Sequence, residues 1–95
     1  MKLSEDQITA ALGNLKDWRY EDGFLKTDIN CTDFKQAFGL MTRIAFEAEA
    51  MNHHPNWKNV YNRIHIALQT HDVGGITQSD LVLAGRISGL KNELS

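Results

Sequence analysis

Glu49-Ala50-Met51-Asn52-His53-His54-Pro55-Asn56-Trp57-Lys58-Asn59-Val60-Tyr61-Asn62-Arg63-Ile64-His65-Ile66-Ala67-Leu68-Gln69-Thr70-His71-Asp72 contains all four histidines and the single proline of the 95-residue chain. Pro55 disfavours helical geometry in the residue before it, so a helix arriving from the N-terminal side must stop near His53. Beyond it, Trp57–Tyr61 and Ile64–Thr70 read as a β-hairpin turning at Asn62-Arg63. Asn tolerates the positive φ of a tight primed turn, whereas Arg is a poorer second residue for it. A two-residue turn there sets Tyr61 opposite Ile64, Val60 opposite His65, Trp57 opposite Leu68 and Asn56 opposite Gln69. At the open end His54 then faces His71, and opposed Cβ atoms lie about 4.5–5.5 Å apart. The register thus draws histidines that are distant in sequence to one mouth.

The rest of the chain supplies the frame. Its length and 42% hydrophobic content fit a single domain over residues 1–95 whose modest core gains from self-association. A net charge of −2, a pI of about 6.0 and no basic run argue against nucleic acid and anionic membranes as primary partners. Cys31, the lone cysteine, has no partner for an internal disulfide and fits a reducing compartment. The N-terminal residues show no signal peptide, transit peptide or membrane span, so the expected location is cytoplasmic.

Ser4-Glu5-Asp6-Gln7 is a capping-box pattern. Ile8, Ala11, Leu12 and Leu15 follow at helical spacing, giving a first helix over Glu5–Leu12 with a left-handed stop at Gly13-Asn14. Trp18 to Ile29 reads as a hairpin turning at Asp22-Gly23, a strong type I′ signal, with Trp18, Tyr20, Leu25, Thr27 and Ile29 on the buried face. Thr32 caps a long second helix, with Asp33 in its first turn. Its inward stripe reads as Phe34, Ala37, Phe38, Met41, Ala45 and Ala48, and the pattern lasts to Met51. After the second hairpin Gly74-Gly75 turns the chain, or lets backbone approach a ligand beside His71. Thr77-Gln78-Ser79-Asp80 is a further capping box opening a third helix, with Leu81, Ala84, Ile87 and Leu90 on one face. The order α-β-β-α-β-β-α predicts an α+β fold, a four-stranded antiparallel sheet with three helices on one face.

Histidine titrates near neutrality, so one imidazole can donate a proton while another accepts. Three of them at one mouth suit proton transfer on a small polar substrate, and the neighbouring aromatics and amides, Trp57 among them, suit a flat heterocycle. A metal site is the rival. Adjacent His53 and His54 do not readily aim at one ion, and no cysteine joins them. No histidine is placed beside Cys31 for nucleophilic catalysis. His65, within the strand, reads as a structural residue.

Phe38-Gly-Leu-Met-Thr-Arg43, the His-His-Pro run from Glu49 to Pro55, Trp57-Lys-Asn-Val-Tyr-Asn62, Ile64 to His71, and Asp80 together resemble the pterin-4a-carbinolamine dehydratases, also called dimerization cofactors of homeodomain transcription factors. The likeness covers nearly the whole chain. It implies dehydration of 4a-hydroxytetrahydrobiopterin to quinonoid dihydropterin, a hydro-lyase reaction without metal or cofactor in which the pterin is the substrate. It places the catalytic histidines on His53, His54 and His71, and the pterin-binding segments on Asn52–His54 and Gln69–Asp72, which adds Thr70. Animal members usually carry Asp, Ser and Glu where this chain has Asn52, Gln69 and Asp72. His53 and His71 are read as the acid–base pair and His54 as orienting the ring. Glu49 orients a histidine or the pterin.

A second class of function is an interaction module. Animal relatives bind the dimerization helices of a transcription factor through the helix surface used for self-assembly. No feature of the sequence identifies such a partner here. Phe34, Phe38, Met41, Ile44 and Phe46 span more than one stripe of the long helix, and the second hairpin offers an edge with little charge. Both features, with the resemblance, predict a homotetramer built as a dimer of dimers.

Overall fold

A computed structural model describes residues 1–94. The elements follow the predicted order: α1 (Glu5–Leu12), β1 (Arg19–Glu21), β2 (Phe24–Asn30), α2 (Phe34–Met51), β3 (Asn56–Val60), β4 (Arg63–Leu68) and α3 (Gln78–Asn92), with a 3₁₀ turn at His71–Val73 between the last two. The fold is α+β. All strand pairs are antiparallel and the sheet order is β1-β2-β4-β3, so the two hairpins meet through β2 and β4. The apolar content of the strands explains that order. Leu25 and Ile29 of β2 and Ile64, Ile66 and Leu68 of β4 are buried on one face, where the helices cover them. β3 carries Asn56, Lys58 and Val60 exposed and takes an edge. No helix among the described residues is long and apolar enough to cross a membrane.

Local signals account for most boundaries. Ser4 accepts from the Gln7 N–H while the Gln7 side chain accepts from the Ser4 N–H. Asp22 and Gly23 take φ of 56° and 83°, the two left-handed positions a type I′ turn requires, and Glu21 pairs with Phe24 beyond them. Trp18, buried, donates its indole N–H to Ser88 Oγ at 2.8 Å and so ties the first hairpin to α3. Buried Thr27 donates to the Asp17 carbonyl at 2.7 Å.

Four local expectations are corrected. Gly13 ends α1 in a right-handed conformation with φ −58°, and no left-handed residue is used there. The cap of α2 is Asp33, whose carboxylate accepts from the Gln36 N–H at 2.8 Å; Thr32 lies outside and donates its own N–H to Gln36 Oε1. The second hairpin turns at Tyr61-Asn62, one residue earlier than read. Tyr61 takes φ of 53°, and Val60 pairs with Arg63, Lys58 with His65 and Trp57 with Ile66. Asn62 is occupied elsewhere: its amide donates to the Cys31 carbonyl and its own carbonyl accepts from the Cys31 N–H, which pins the turn to the loop before α2. This slip moves every partner by two residues, and a two-residue slip leaves each side chain on its original face.

The fourth correction concerns α2. The stripe that meets the sheet and α3 is Ala37, Leu40, Ile44 and Ala48, all buried, whereas Ala45 is exposed. Phe34 and Phe38 are 49% and 59% exposed, their rings 5.9 Å apart, and Phe46 is 70% exposed. Two apolar stripes overlap on this helix, and alanine at 37 and 48 lets the second approach its neighbours closely. On α3, Leu83 joins Ala84 and Ile87 in the core, and Leu81 and Leu90 are only partly buried. Replacing Ile44 by Ala should therefore cost about 2–5 kcal/mol in denaturant unfolding. Replacing the exposed Phe46 by Ala should change monomer stability by less than about 1 kcal/mol. A larger loss for Phe46→Ala than for Ile44→Ala would show the other stripe to be the inner one.

Candidate active site

The end of α2, the start of β3, the end of β4 and the start of α3 converge at one end of the molecule. Asn52 makes the first turn. It lies in the left-handed region, φ 51° and ψ 43°. Its N–H donates to the Glu49 carbonyl at 3.1 Å and the His53 N–H donates to the Ala48 carbonyl at 3.0 Å. These are the paired bonds of a Schellman stop, with Asn where glycine is commonest. Pro55 then commits the chain to the extended start of β3. The two histidines between them leave the helix in different directions.

His53 turns inward. Its Nε2 lies 2.6 Å from Asp80 Oδ1, and its side chain is only 14% exposed. Asp80 is fully buried in the first turn of α3. Its other oxygen accepts from the Thr77 N–H at 2.9 Å and from the Thr70 hydroxyl at 2.8 Å. The Thr77 hydroxyl in turn donates to the Thr70 oxygen, 2.6 Å away. The helix N-terminus favours a carboxylate here, and each of its contacts is a charge-assisted hydrogen bond. Because a carboxylate only accepts, Nε2 carries the proton and Nδ1 is the ring nitrogen left for another partner. The sequence offers Asp80 as a capping residue and as one of the residues that carry the family resemblance, and gives no sign of its link to His53. The capping pattern was the sole local signal, and the contact spans 27 positions.

His54 turns outward and its Nε2 lies 2.8 Å from Glu49 Oε1, with both side chains exposed. His71 sits exposed on the 3₁₀ turn. That turn is closed by the Thr70–Gly75 bridge and by Gly74 at φ 61°. Gly75 serves a different contact from the one read for it: a Cβ there would meet the Lys2 side chain at 2.6 Å, so the N-terminal segment, not a ligand, fills that space.

His53, His54 and His71 line one hollow of about 290 Å³, together with Asn52, Gln69, Thr70 and Asp72. A second hollow of about 250 Å³ shares His54, Gln69 and His71 and adds Phe24, Pro55 and Ala67. The three histidines therefore meet although the register differs from the one read, because His54 and His71 both lie beyond the strand ends, where turns and not rungs set their places. Gln69 donates its amide to the Gly23 carbonyl at 3.1 Å, which seats the first hairpin against the cleft. Trp57 does not line the histidine hollows; it lies partly buried on the helix side of β3. His65 stays apart, with Nδ1 2.6 Å from Asp28 Oδ1 on the neighbouring strand. That hydrogen bond, helped by Arg19 and opposed by partial burial, holds the Asp28 carboxyl below the usual range.

The family described as Pterin 4 alpha carbinolamine dehydratase matches residues 1–90. The chain belongs to the pterin-4a-carbinolamine dehydratase family. Among curated relatives, a protein of Synechococcus sp. is 53% identical over 88 residues, covering 93% of this chain and 95% of its own. One from Solibacter usitatus is 51% identical over 89 residues, covering 94% of each. Both carry the name pterin-4-alpha-carbinolamine dehydratase provisionally. A crystal structure from Brucella melitensis, described as a transcriptional coactivator/pterin dehydratase, superposes with a TM-score of 0.93 at 33% identity, covering 96% of this chain and 99% of its own. The pterin-4a-carbinolamine dehydratase fold thus accounts for the whole sheet and all three helices.

Replacing Asp80 by Ala strands three donors in a buried position and should cost about 2–4 kcal/mol of stability. Asp80→Asn, which keeps an acceptor for Thr70 or Thr77, should cost less. Chemical denaturation of both variants checks this, and an alanine variant as stable as the parent would show that the carboxylate does not organise the site.

Proposed function

We propose that this chain dehydrates 4a-hydroxytetrahydrobiopterin to quinonoid dihydropterin and water, in support of tetrahydrobiopterin recycling in the cytoplasm. The observation that carries the reading is the meeting of His53, His54 and His71 on one hollow, with His53 held by buried Asp80, in a member of this family. The reaction breaks the C4a–O bond and leaves its electron pair on oxygen. Hydroxide is a poor leaving group, so an acid must deliver a proton as the bond breaks. A base removes a ring N–H proton, and that electron pair forms the new C=N bond. His53 and His71 take these two parts. Asp80 fixes the tautomer of His53, so its Nδ1 is the atom that exchanges a proton with substrate. His54, held by Glu49, orients the ring, and Asn52, Gln69, Thr70 and Asp72 border the pterin.

Turnover of synthetic 4a-hydroxytetrahydropterin above its spontaneous dehydration is the direct test. Replacing His71 or His53 by Ala should lower the catalysed rate by about 10²-fold or more, the usual scale of lost acid–base help. His65→Ala should leave most of it. Near-normal turnover in folded His53→Ala and His71→Ala variants would reject the assignment.

The exposed aromatic face of α2 supports a second reading, a surface for assembly. Phe34, Phe38 and Phe46 stand in solvent on one chain, and β3 presents a free edge on which Lys58 is the single charged residue. We propose a homotetramer, with β3 edges extending a sheet within dimers and α2 faces packed between them. Light scattering at micromolar concentration should give about four times the 10.7 kDa chain mass. A monomeric mass would remove this assembly and favour the non-catalytic alternative, in which that face binds a transcription factor.

A further inference from the structure

The hollow that joins His54 and His71 does not end at the pterin site. Two of its lining residues, Asn56 and Ala67, also line a third hollow of about 290 Å³ on the helix-free face of the sheet. They are directly opposed across β3 and β4. Along β4 the side chains on this face belong to Arg63, His65 and Ala67, followed past the strand end by Gln69. Ala67 alone is too short to close the way. Lys26 lies opposite it on β2, but its ammonium is drawn off to Glu21 and Asp22 at 3.2 and 3.4 Å. Two hollows that share Asn56 and Ala67 as lining therefore lie in succession between the histidine cluster and the pair His65 and Lys58.

The far end has a definite hydrogen-bonding character. His65 and Lys58 are opposed across the strands and both point to this face. His65 directs its Nδ1 proton at Asp28, and in that tautomer Nε2 is the ring nitrogen left to accept. The Lys58 ammonium, in no ion pair among the described residues, donates. A donor beside an acceptor matches a hydroxyl group, which does both.

We infer that Ala67 is a specificity-determining residue: it floors a gutter that receives a hydroxyalkyl substituent of the pterin ring and delivers its hydroxyls to Lys58 and His65. This rests on the pterin reading above and adds which pterins are preferred. The test uses stable oxidised pterins, so that binding is read apart from turnover. Calorimetry with the intact chain should show 6-(1,2,3-trihydroxypropyl)pterin bound more tightly than 6-methylpterin. Ala67→Leu should reduce affinity for the first by about tenfold more than for the second, the scale of a blocked contact pocket. Lys58→Ala, at an exposed position, should narrow the parent's preference and decides the matter should the leucine variant unfold. Equal losses for both pterins, or an unchanged preference in both variants, would overturn the gutter, as would a parent chain that binds neither pterin. A parent that shows the preference but does not dehydrate the carbinolamine removes the proposed reaction and leaves the gutter supported.

Discussion

A fully buried carboxylate constrains this structure more than any other single group. Asp80 has no exposure, and an uncompensated charge in such a place costs several kcal/mol. Its donors come from three parts of the chain: the His53 imidazole after α2, the Thr70 hydroxyl after β4, and the Thr77 N–H at the head of α3. The fold must therefore bring these segments together whenever α3 docks. His53 and the turn that bears His71 are placed by the same requirement. The site is thus coupled to the packing of the helix layer and is not an ornament on the loops.

The sheet contributes differently. Its centre is apolar on one face and its open face is lined with charged and polar groups, Arg19, Lys26, Asp28, Lys58 and His65 among them. Asp28 and His65 pair directly across β2 and β4, and the contact keeps the carboxyl ionised to lower pH than usual. His65 is thereby committed to the sheet while the other histidines stay at its end. The same residue type has two fates here because one lies on a rung and the others beyond the rungs.

Much was legible from local chemistry. The Ser4 and Thr77 caps, the Asp22-Gly23 turn and the stop before Pro55 are decided within a few residues by φ preferences and by side chains that satisfy nearby N–H groups. Element order followed, and with it the fold class. The face of every strand residue also survived the misread turn, because alternation depends on parity and the error was even. The histidine cluster was legible because the family's motifs mark those positions, whereas the read register did not place it: His54 and His71 lie beyond the strand ends.

What tertiary structure alone decided has a common cause: more than one local solution was open, and packing chose. Asn62 and Tyr61 both flank a workable turn, and the bonds of Asn62 to Cys31 select the earlier one. The long helix carries two overlapping apolar stripes, and the sheet and α3 take the one with alanine at 37 and 48. The partnership of Asp80 with His53, the exclusion of Trp57 from the cleft and the place of Ala67 between two hollows depend on which elements become neighbours. The sequence by itself determined the elements, their order and the facing of their side chains, since these follow from backbone sterics and the periods of helix and strand. The meeting of distant groups required the burial of one carboxylate and one apolar face together, which only the packed chain supplies.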